Sequence, residues 1–227
     1  MRNIDAYSSG AYQSGPIGSR VTPSGSRVGK SLSKSVFDFL IAGFALAFLL
    51  PALALIAIFI KCDSKGPVLF RQTRTGLNGR KFFIYKFRTM HVLEDGACVR
   101  QAVAGDARIT RLGYWLRRSS LDELPQLINV LKGEMSLVGP RPHAVVHDEL
   151  FSEVVEGYYA RTYARPGLTG LAQIRGYRGE VKTHYDVISR VKSDIEYIEN
   201  WSWILDIKII LSTTMVFMLP NYKNEKI

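Results

Sequence analysis

Cysteine and histidine are scarce in this 227-residue sequence, which has two residues of the first kind and four of the second. The two cysteines, Cys62 and Cys98, lie far apart and form no C-x-x-C pattern. The sequence therefore gives no support for a disulfide scaffold or a zinc site, and it predicts a reducing, cytoplasmic environment. His143 and His147 are spaced to share one helix face, but no third ligand accompanies them. We predict surface histidines rather than a metal site.

Acidic residues are also few, since 20 Asp and Glu stand against 30 Lys and Arg and leave a net charge of +10. Such a surplus indicates anionic partners: nucleic acid, phospholipid headgroups or phosphate-bearing substrates. The sequence carries no signature of a nucleic-acid-binding fold, so we expect no nucleic acid partner. Residues 1–33 are rich in Ser and Gly and lack apolar periodicity, which predicts a disordered tail.

The longest apolar run extends from Phe39 to Ile60 and contains no charged side chain. A helix of that length spans about 33 Å, enough to cross a hydrocarbon core of about 30 Å. Pro51 lies at its middle and lacks a backbone donor, so we expect the helix to break there. Both flanks are basic, and the positive-inside rule places both on the cytoplasmic side. The sequence therefore predicts a membrane anchor at residues 34–61 that is re-entrant, a helix-break-helix, rather than a simple span.

The remaining residues, 62–227, are predicted to form a cytoplasmic domain, which gives an α-rich α+β class for the whole chain. Asn78-Gly79 favours a tight turn between two short strands, so we expect a small β-hairpin. An apolar series predicts an amphipathic helix over residues 120–132, and Gly133 is expected to end it. Residues 201–211 are aromatic and apolar but carry two charges, which favours an interfacial helix over a second span.

Asp122 and Glu123 are the strongest candidates for chemistry. Pro125 is tolerated only near the start of a helix, so both carboxylates are placed in a first turn, where the helix dipole favours their ionised form. Ordinary N-terminal capping is the alternative for such a pair. Arg117 precedes the pair, and Arg141 follows it between two prolines, which suits its guanidinium to presentation to phosphate. Carboxylates and arginines beside a membrane segment indicate phosphate chemistry on a lipid.

Three blocks of the sequence resemble one known family. They are SSLDELPQLINVLKGEMSLVGPRP at residues 119–142, FRQTRTGLNGRKFFIYKFRTM at 70–90 and RPGLTGLAQIRGYRGE at 165–180. Together with the anchor, the likeness covers residues 34 to about 215. The chain resembles the bacterial sugar transferases, the monotopic phosphoglycosyl transferases that start exopolysaccharide and O-antigen assembly.

The resemblance implies transfer of a hexose 1-phosphate from a UDP-sugar to undecaprenyl phosphate, with release of UMP. Residues 176–180 look like those of members that transfer glucose 1-phosphate, so glucose is the expected sugar. By the resemblance, Asp122 is the nucleophile, which holds the phosphosugar covalently, and also the Mg²⁺ ligand. Glu123 is its partner in proton handling or positioning. The implied substrate-binding residues are Arg117, Arg141, Lys86 and Arg88, and for the last two the alternative is binding of lipid headgroups.

Two alternatives stay open at the level of the sequence. UDP-galactose is the alternative donor, and a non-enzymatic membrane scaffold of a polysaccharide export complex is the alternative of a different class. The resemblance further implies the bacterial inner membrane, with membrane lipid as a partner and the catalytic domain on the cytoplasmic face. A homo-oligomer is compatible with it. Leu50-Pro51 replaces the Ser-Pro that the family often has at its mid-membrane break, a departure that concerns the anchor rather than the chemistry.

Overall fold

The computed structural model of this protein describes residues 26–91, 106–179, 181 and 183–218. Within those ranges the chain is mainly helical and contains two small sheets, in agreement with the predicted class. The helices are α1 Arg27–Lys30, α2 Leu32–Asp63, α3 Arg111–Ser119, α4 Leu127–Leu131, α5 Val145–Val154, α6 Leu171–Ile174, α7 His184–Glu199 and α8 Trp203–Met218. The strands are β1 Leu69–Thr75, β2 Lys81–Phe87, β3 Ser136–Val138 and β4 Gly167–Thr169.

The segment predicted to be a disordered tail is folded where the structure describes it. Ser26 accepts the N–H of Gly29 at 3.3 Å, and its hydroxyl donates to the carbonyl of Tyr163 at 2.8 Å. A Cβ on Gly29 would lie 2.3 Å from that carbonyl oxygen, so the small residues of this stretch allow close backbone packing. Residues 1–25 of the predicted tail and Cys98 lie outside the described residues.

Helix α2 is continuous over its 32 residues, so the predicted break at Pro51 is wrong. The proline removes only its own N–H donor, and the hydrogen bonds of the turns on either side continue the helix. Ser31 starts α2 by accepting the N–H of Lys34 at 3.2 Å. In the part of the chain that the structure describes, α2 is the one helix with the length and apolar composition needed to cross a membrane.

The N-terminal end of α2 is fixed by a buried polar cluster. The ammonium of Lys34 donates to Oδ2 of Asp206 in α8 at 2.6 Å. Asp206 also accepts the hydroxyl of Tyr197 at 2.8 Å and the indole N–H of Trp201 at 3.1 Å. One turn further along α2 lies a second buried carboxylate, that of Asp38. It accepts a hydrogen bond from the hydroxyl of Ser136 in β3 at 2.6 Å. In the sequence, Asp206 was interpreted as a charge that interrupts an apolar segment. In the structure it is buried at the centre of this polar cluster.

The C-terminal end of α2 is fixed by Arg88, which follows β2. Its guanidinium donates to the carbonyl of Ile60 at 3.2 Å and to that of Ser64 at 2.6 Å. Between the two fixed ends, α2 presents apolar side chains to the outside. Phe44 and Phe48, for example, are 73% and 75% exposed. The same folded part of the chain therefore holds both ends of a helix whose middle is uncovered.

The predicted β-hairpin is confirmed, and its strands are longer than the sequence indicated. β1 and β2 pair antiparallel over seven residues each. Asn78 and Gly79 have left-handed backbones, with φ of 52° and 78°, a conformation that these two residue types adopt readily. The N–H of Gly76 bonds the carbonyl of Arg80 at 2.7 Å, so the connection is a five-residue loop rather than a two-residue turn.

The other elements pack against one side of α2 and complete the core. The first half of α2 packs on β2 and α4, and its second half packs on α3 and the end of β2. β3 and β4 form a short parallel pair that the sequence did not predict, because three-residue strands show no alternation. α8 occupies the region of the predicted interfacial helix. It exposes a stripe of four apolar side chains, each more than half exposed: Ile204, Ile207, Leu211 and Met215.

Candidate active site

Asp122 and Glu123 lie in a 3-10 helix, Leu121–Gln126, that joins α3 to α4. The sequence predicted an α-helix beginning at residue 120, capped by Ser or Asp. Instead Ser120 has a left-handed backbone, with φ of 59°, and ends α3. Because that residue closes one helix and opens the next, its side chain makes no cap, and the chain follows the tighter 3-10 path before α4 begins.

Asn129 fixes this acid-bearing element to the hairpin. Its amide nitrogen donates to the carbonyl of Phe83 at 2.7 Å, and its oxygen accepts the N–H of Tyr85 at 3.0 Å. Side chains alternate along β2, so Lys86 shares a face with Ile84, which is buried in the cluster that includes α4. The strand that packs on α4 therefore also delivers an ammonium to the acid pair.

Glu123 is held by three cations. It accepts from Lys86 at 2.7 Å, from both terminal nitrogens of Arg141 at 2.6 and 3.3 Å, and from Arg178 at 3.0 Å. Burial alone would raise the pKa of Glu123, but the attraction of Arg141, Lys86 and Arg178 holds that pKa well below its usual range. Its three cations thus favour the ionised form of Glu123, and both carboxylate oxygens are engaged.

Asp122 differs from Glu123 in its side-chain partners and in the direction of its pKa shift. No described side chain bonds its carboxylate. Burial, and next the negative charge of Glu123, raise the pKa of Asp122 to about 6, against the opposing attraction of Lys86, Arg117 and Arg178. An unpaired carboxylate with this pKa is ionised near neutral pH and has a free oxygen. It is therefore equipped to act as a nucleophile or as a metal ligand.

The structure brings together all but one of the predicted site residues. Lys86 and Arg141 bind Glu123 directly, and Arg117, in the last turn of α3, acts on Asp122 through its charge. Arg88 does not join them. It is 5% exposed and bonds the end of α2, because β2 ends at residue 87 and the strand alternation no longer applies. Its contact with substrate or headgroups stays a prediction, while the structure places one nitrogen of its guanidinium on the backbone at the end of α2.

Arg178 is the site residue that the sequence reasoning missed as a contact. It lies in the turn after α6, 55 positions beyond Glu123, and Gly176 before it has φ of 90°. In the sequence, this segment drew notice only through the family resemblance that it carries. Two glycines flanking Tyr177-Arg178 were the available signal for a turn that presents an arginine. With Arg178 included, four cations surround two carboxylates, which leaves an excess of two positive charges.

A buried polar network supports the loop that carries Arg141. Arg161 donates to the carbonyl of Arg141 at 2.6 Å and binds Asp194 through two nitrogens at 2.6 and 3.0 Å. Its third nitrogen lies 2.9 Å from Nδ1 of His143. His143 is 6% exposed, so the prediction of a surface histidine is wrong for it. Burial, and next the charge of Arg161, hold the pKa of His143 well below its usual range, so the ring is neutral.

The donor set of the site bears on Mg²⁺, which the family resemblance implies. No group of three or more His, Cys, Asp or Glu side chains suited to a metal occurs among the described residues. Of the acid pair, only Asp122 has an unengaged carboxylate. Mg²⁺ is commonly held by one or two carboxylates together with substrate phosphates and water. The residues therefore fit an ion shared between Asp122 and a bound diphosphate, rather than a cage made by protein alone.

Comparison with known proteins gives a consistent result. The family described as bacterial sugar transferase matches residues 29–220. A Caulobacter vibrioides protein named UDP-glucose:undecaprenyl-phosphate glucose-1-phosphate transferase is 54% identical over 187 residues, covering 82% of this chain and 70% of its own length. An Escherichia coli protein of the same name is 50% identical over 182 residues, covering 80% of this chain but 39% of its own length. The exopolysaccharide production protein PSS of Rhizobium leguminosarum is 47% identical over 186 residues, covering 80% of this chain and 93% of its own length.

Proposed function

The chain belongs to the bacterial sugar transferase family, and on that premise we propose that it transfers glucose 1-phosphate from UDP-glucose to undecaprenyl phosphate and releases UMP. The observation that carries this proposal is the contrast between the two acids. Asp122 has a free, ionisable carboxylate, and Glu123 beside it collects three cations. The relatives' names support the donor and the acceptor.

The transfer takes place in two displacements at one phosphorus atom. First, an oxygen of Asp122 attacks the β-phosphorus of UDP-glucose, the bond from that phosphorus to the bridging oxygen breaks, and UMP leaves with the bonding electrons. The phosphosugar is then joined to Asp122 as an acyl phosphate. Second, an oxygen of undecaprenyl phosphate attacks the same phosphorus, and the Asp122 carboxylate leaves. Covalent catalysis thus divides a difficult encounter of two anions into two easier steps.

Glu123 serves as a positioning group in this scheme, not as a proton carrier. Its low pKa makes it a poor base, and both its oxygens are already occupied by Lys86, Arg141 and Arg178. By binding these cations before substrate arrives, it fixes them where phosphate charge develops in the transition state. Mg²⁺, held by Asp122 and the diphosphate, would neutralise further charge on the phosphates.

We propose that α2 enters and leaves the membrane on one face, as a continuous helix. In support, Lys34 near its start and Ile60 near its end both bond the folded part that carries the acid pair. If α2 crossed the bilayer, its two ends would lie on opposite sides of the membrane, and one folded part could not bond both of them. The uncovered apolar middle of α2 and the apolar stripe of α8 would then contact lipid. The acid pair would lie at the cytoplasmic face of the inner membrane, near the lipid phosphate.

UMP release tests the proposed activity. Membranes containing the protein are supplied with Mg²⁺, undecaprenyl phosphate and one UDP-sugar from a panel that includes UDP-glucose and UDP-galactose. We expect UMP from UDP-glucose, loss of release on chelation, and loss in Asp122→Asn. Glu196→Gln, an exposed carboxylate changed in the same way, should retain activity. Without lipid acceptor, mass spectrometry should find a phosphohexose on Asp122. Full turnover by Asp122→Asn would refute the covalent route, and no UMP from any donor would favour the scaffold.

Tags test the membrane topology. Short cysteine tags placed at each end of the chain should both be protected from a membrane-impermeant reagent in intact cells and become reactive once the cells are opened. A tag at the N-terminus that reacts from outside would show that α2 crosses the bilayer.

A further inference from the structure

One exposed aromatic side chain stands beside the acid pair. Phe70 in β1 is the register partner of Lys86 in β2, so the two side chains lie next to each other on one face of the hairpin. The ammonium of Lys86 bonds Glu123 at 2.7 Å. Phe70 is nevertheless 46% exposed, because the 3-10 helix that bears the acids packs mainly on β2. An uncovered ring therefore flanks the acid pair.

The face of β1 that carries Phe70 changes in character along the strand. Gln72 and Arg74 follow Phe70 on that face, since side chains alternate along a strand. Arg74 donates to the side chain of Gln72 at 2.5 Å and to the carbonyl of Pro142, the neighbour of Arg141, at 3.4 Å. The row spans about 13 Å. One end of it is an apolar ring, and the other is a guanidinium beside the loop of Arg141.

The apolar end of this row is the end that is attached to α2. Two residues before Phe70, the carbonyl of Val68 accepts the N–H of Arg88 at 2.9 Å. The guanidinium of Arg88 in turn bonds the end of α2, at the carbonyls of Ile60 and Ser64. On the membrane placement proposed above, Phe70 therefore lies between the surface of the bilayer and the acid pair.

We propose that the ring of Phe70 packs against the first isoprene units of the polyprenyl acceptor, next to the carbon that bears the phosphate. This proposal rests on the proposed function and deepens it by naming a residue that binds the acceptor. Undecaprenyl phosphate joins a hydrocarbon chain directly to a phosphate, so its site requires an apolar side chain beside a cation. Phe70 and Lys86 provide that pair, and a flat ring offers a large apolar contact area.

The uracil base of the donor is the other flat group that an exposed ring could bind. Uracil carries carbonyl and N–H groups, which need hydrogen-bond partners when they leave water, whereas the hydrocarbon of the acceptor needs none. Val68 and Leu69, directly before Phe70, pack in the apolar cluster around the second half of α2. The surroundings of the ring therefore suit hydrocarbon better than a polar base.

Phe83 provides a matched control on the same hairpin. It lies three positions before Lys86 in β2, so its side chain points to the opposite face. Phe83 is 57% exposed, so its replacement removes the same ring from a similarly exposed place. An effect seen only at position 70 is then an effect of the place beside the acid pair.

The test separates the two displacements in the full-length protein. UMP released per enzyme molecule without acceptor reports the first, and turnover at varied undecaprenyl phosphate in mixed detergent micelles reports the second. In Phe70→Ala we expect the KM for undecaprenyl phosphate to rise about five- to tenfold, since about half of the ring remains for the lipid to cover. The first displacement and the KM for UDP-glucose should stay within about twofold of wild type, and Phe83→Ala should leave all three values within that range.

Phe70→Leu distinguishes hydrocarbon from base, because leucine keeps an apolar surface but has no ring to stack. The KM of this variant for undecaprenyl phosphate should stay within about threefold of wild type. A KM for UDP-glucose that rises in both Phe70→Ala and Phe70→Leu would show stacking on uracil and overturn the proposal. An unchanged KM for undecaprenyl phosphate in Phe70→Ala would overturn it as well. Neither result would affect the proposed function, which fails separately if the wild-type protein releases no UMP from any UDP-sugar.

Discussion

Asp206→Asn should destabilise the protein by about 3 kcal/mol, the lower end of the range for breaking a buried ion pair. In the structure Lys34 and Asp206 are each 3% exposed and lie 2.6 Å apart. The amide can still accept from Tyr197 or Trp201, but it cannot balance the ammonium. Asp38, 3.9 Å from that ammonium, remains as a weaker partner, which is why we expect the lower end of the range. For a chain of this size the loss corresponds to a fall in Tm of about 6–12 °C.

Thermal unfolding of the purified protein in detergent, followed by circular dichroism, measures this effect. Glu196→Gln is the matched control, because it breaks an exposed ion pair of good geometry, and its Tm should fall by no more than about 4 °C. Replacing both partners, as Lys34→Met with Asp206→Leu, removes the ion pair but leaves the buried carboxylate of Asp38 without its nearby ammonium, so stability should not return to the wild-type level. Equal Tm values for Asp206→Asn and Glu196→Gln would refute the claim that the buried cluster holds α2 to α8.

Three further predictions concern the active site. Asp122 must be ionised to attack, and its pKa is raised to about 6. At fixed Mg²⁺, kcat/KM for UMP release should therefore fall about tenfold per pH unit below that value and level off above it. Activity independent of pH between 4.5 and 7 would contradict this. Glu123→Gln removes the negative charge that raises the pKa of Asp122, so the acid limb of the kcat/KM profile should move to lower pH. The value of kcat/KM itself should fall about 10²-fold, because the cations that Glu123 positions are displaced. Arg161→Ala leaves Asp194 buried without its ion-pair partner and should cost about 3–5 kcal/mol of stability. Arg161→Lys should restore folding. It should not restore the KM for UDP-glucose, because lysine cannot also bond the carbonyl of Arg141 and fix its loop.

Features that depend on a residue's own conformational preference and its immediate neighbours were predicted from the sequence. Asn78 and Gly79 adopt the left-handed turn that their side chains favour, and Gly133, with φ of 71°, follows α4 as expected. The acid pair and Arg141 were identified because their residues are contiguous with the sequence blocks that carry the family resemblance. For the turn and for Gly133, the deciding interaction lies within a few positions of the residue concerned.

The features that were missed depend on contacts between distant parts of the chain. Arg178 reaches Glu123 across 55 positions, and no periodicity encodes such a contact. His143 was assigned to the surface because no third metal ligand accompanies it and His147, yet the ion pair of Arg161 with Asp194 provides a buried polar environment for it. Pro51 was expected to break α2, but a single missing donor does not outweigh the packing of the turns on both sides.

The attachment of α2 at both ends makes its residue count a fixed dimension of the protein. Each residue in an α-helix adds about 1.5 Å and turns the following side chains by about 100°. Inserting or deleting one residue between Lys34 and Ile60 would therefore rotate one attachment point away from its partner, whichever end stayed in place. Substitutions on the exposed apolar face of α2 should be tolerated as long as they stay apolar. On the membrane placement proposed above, the length of α2 would also fix the position of the acid pair relative to the bilayer surface.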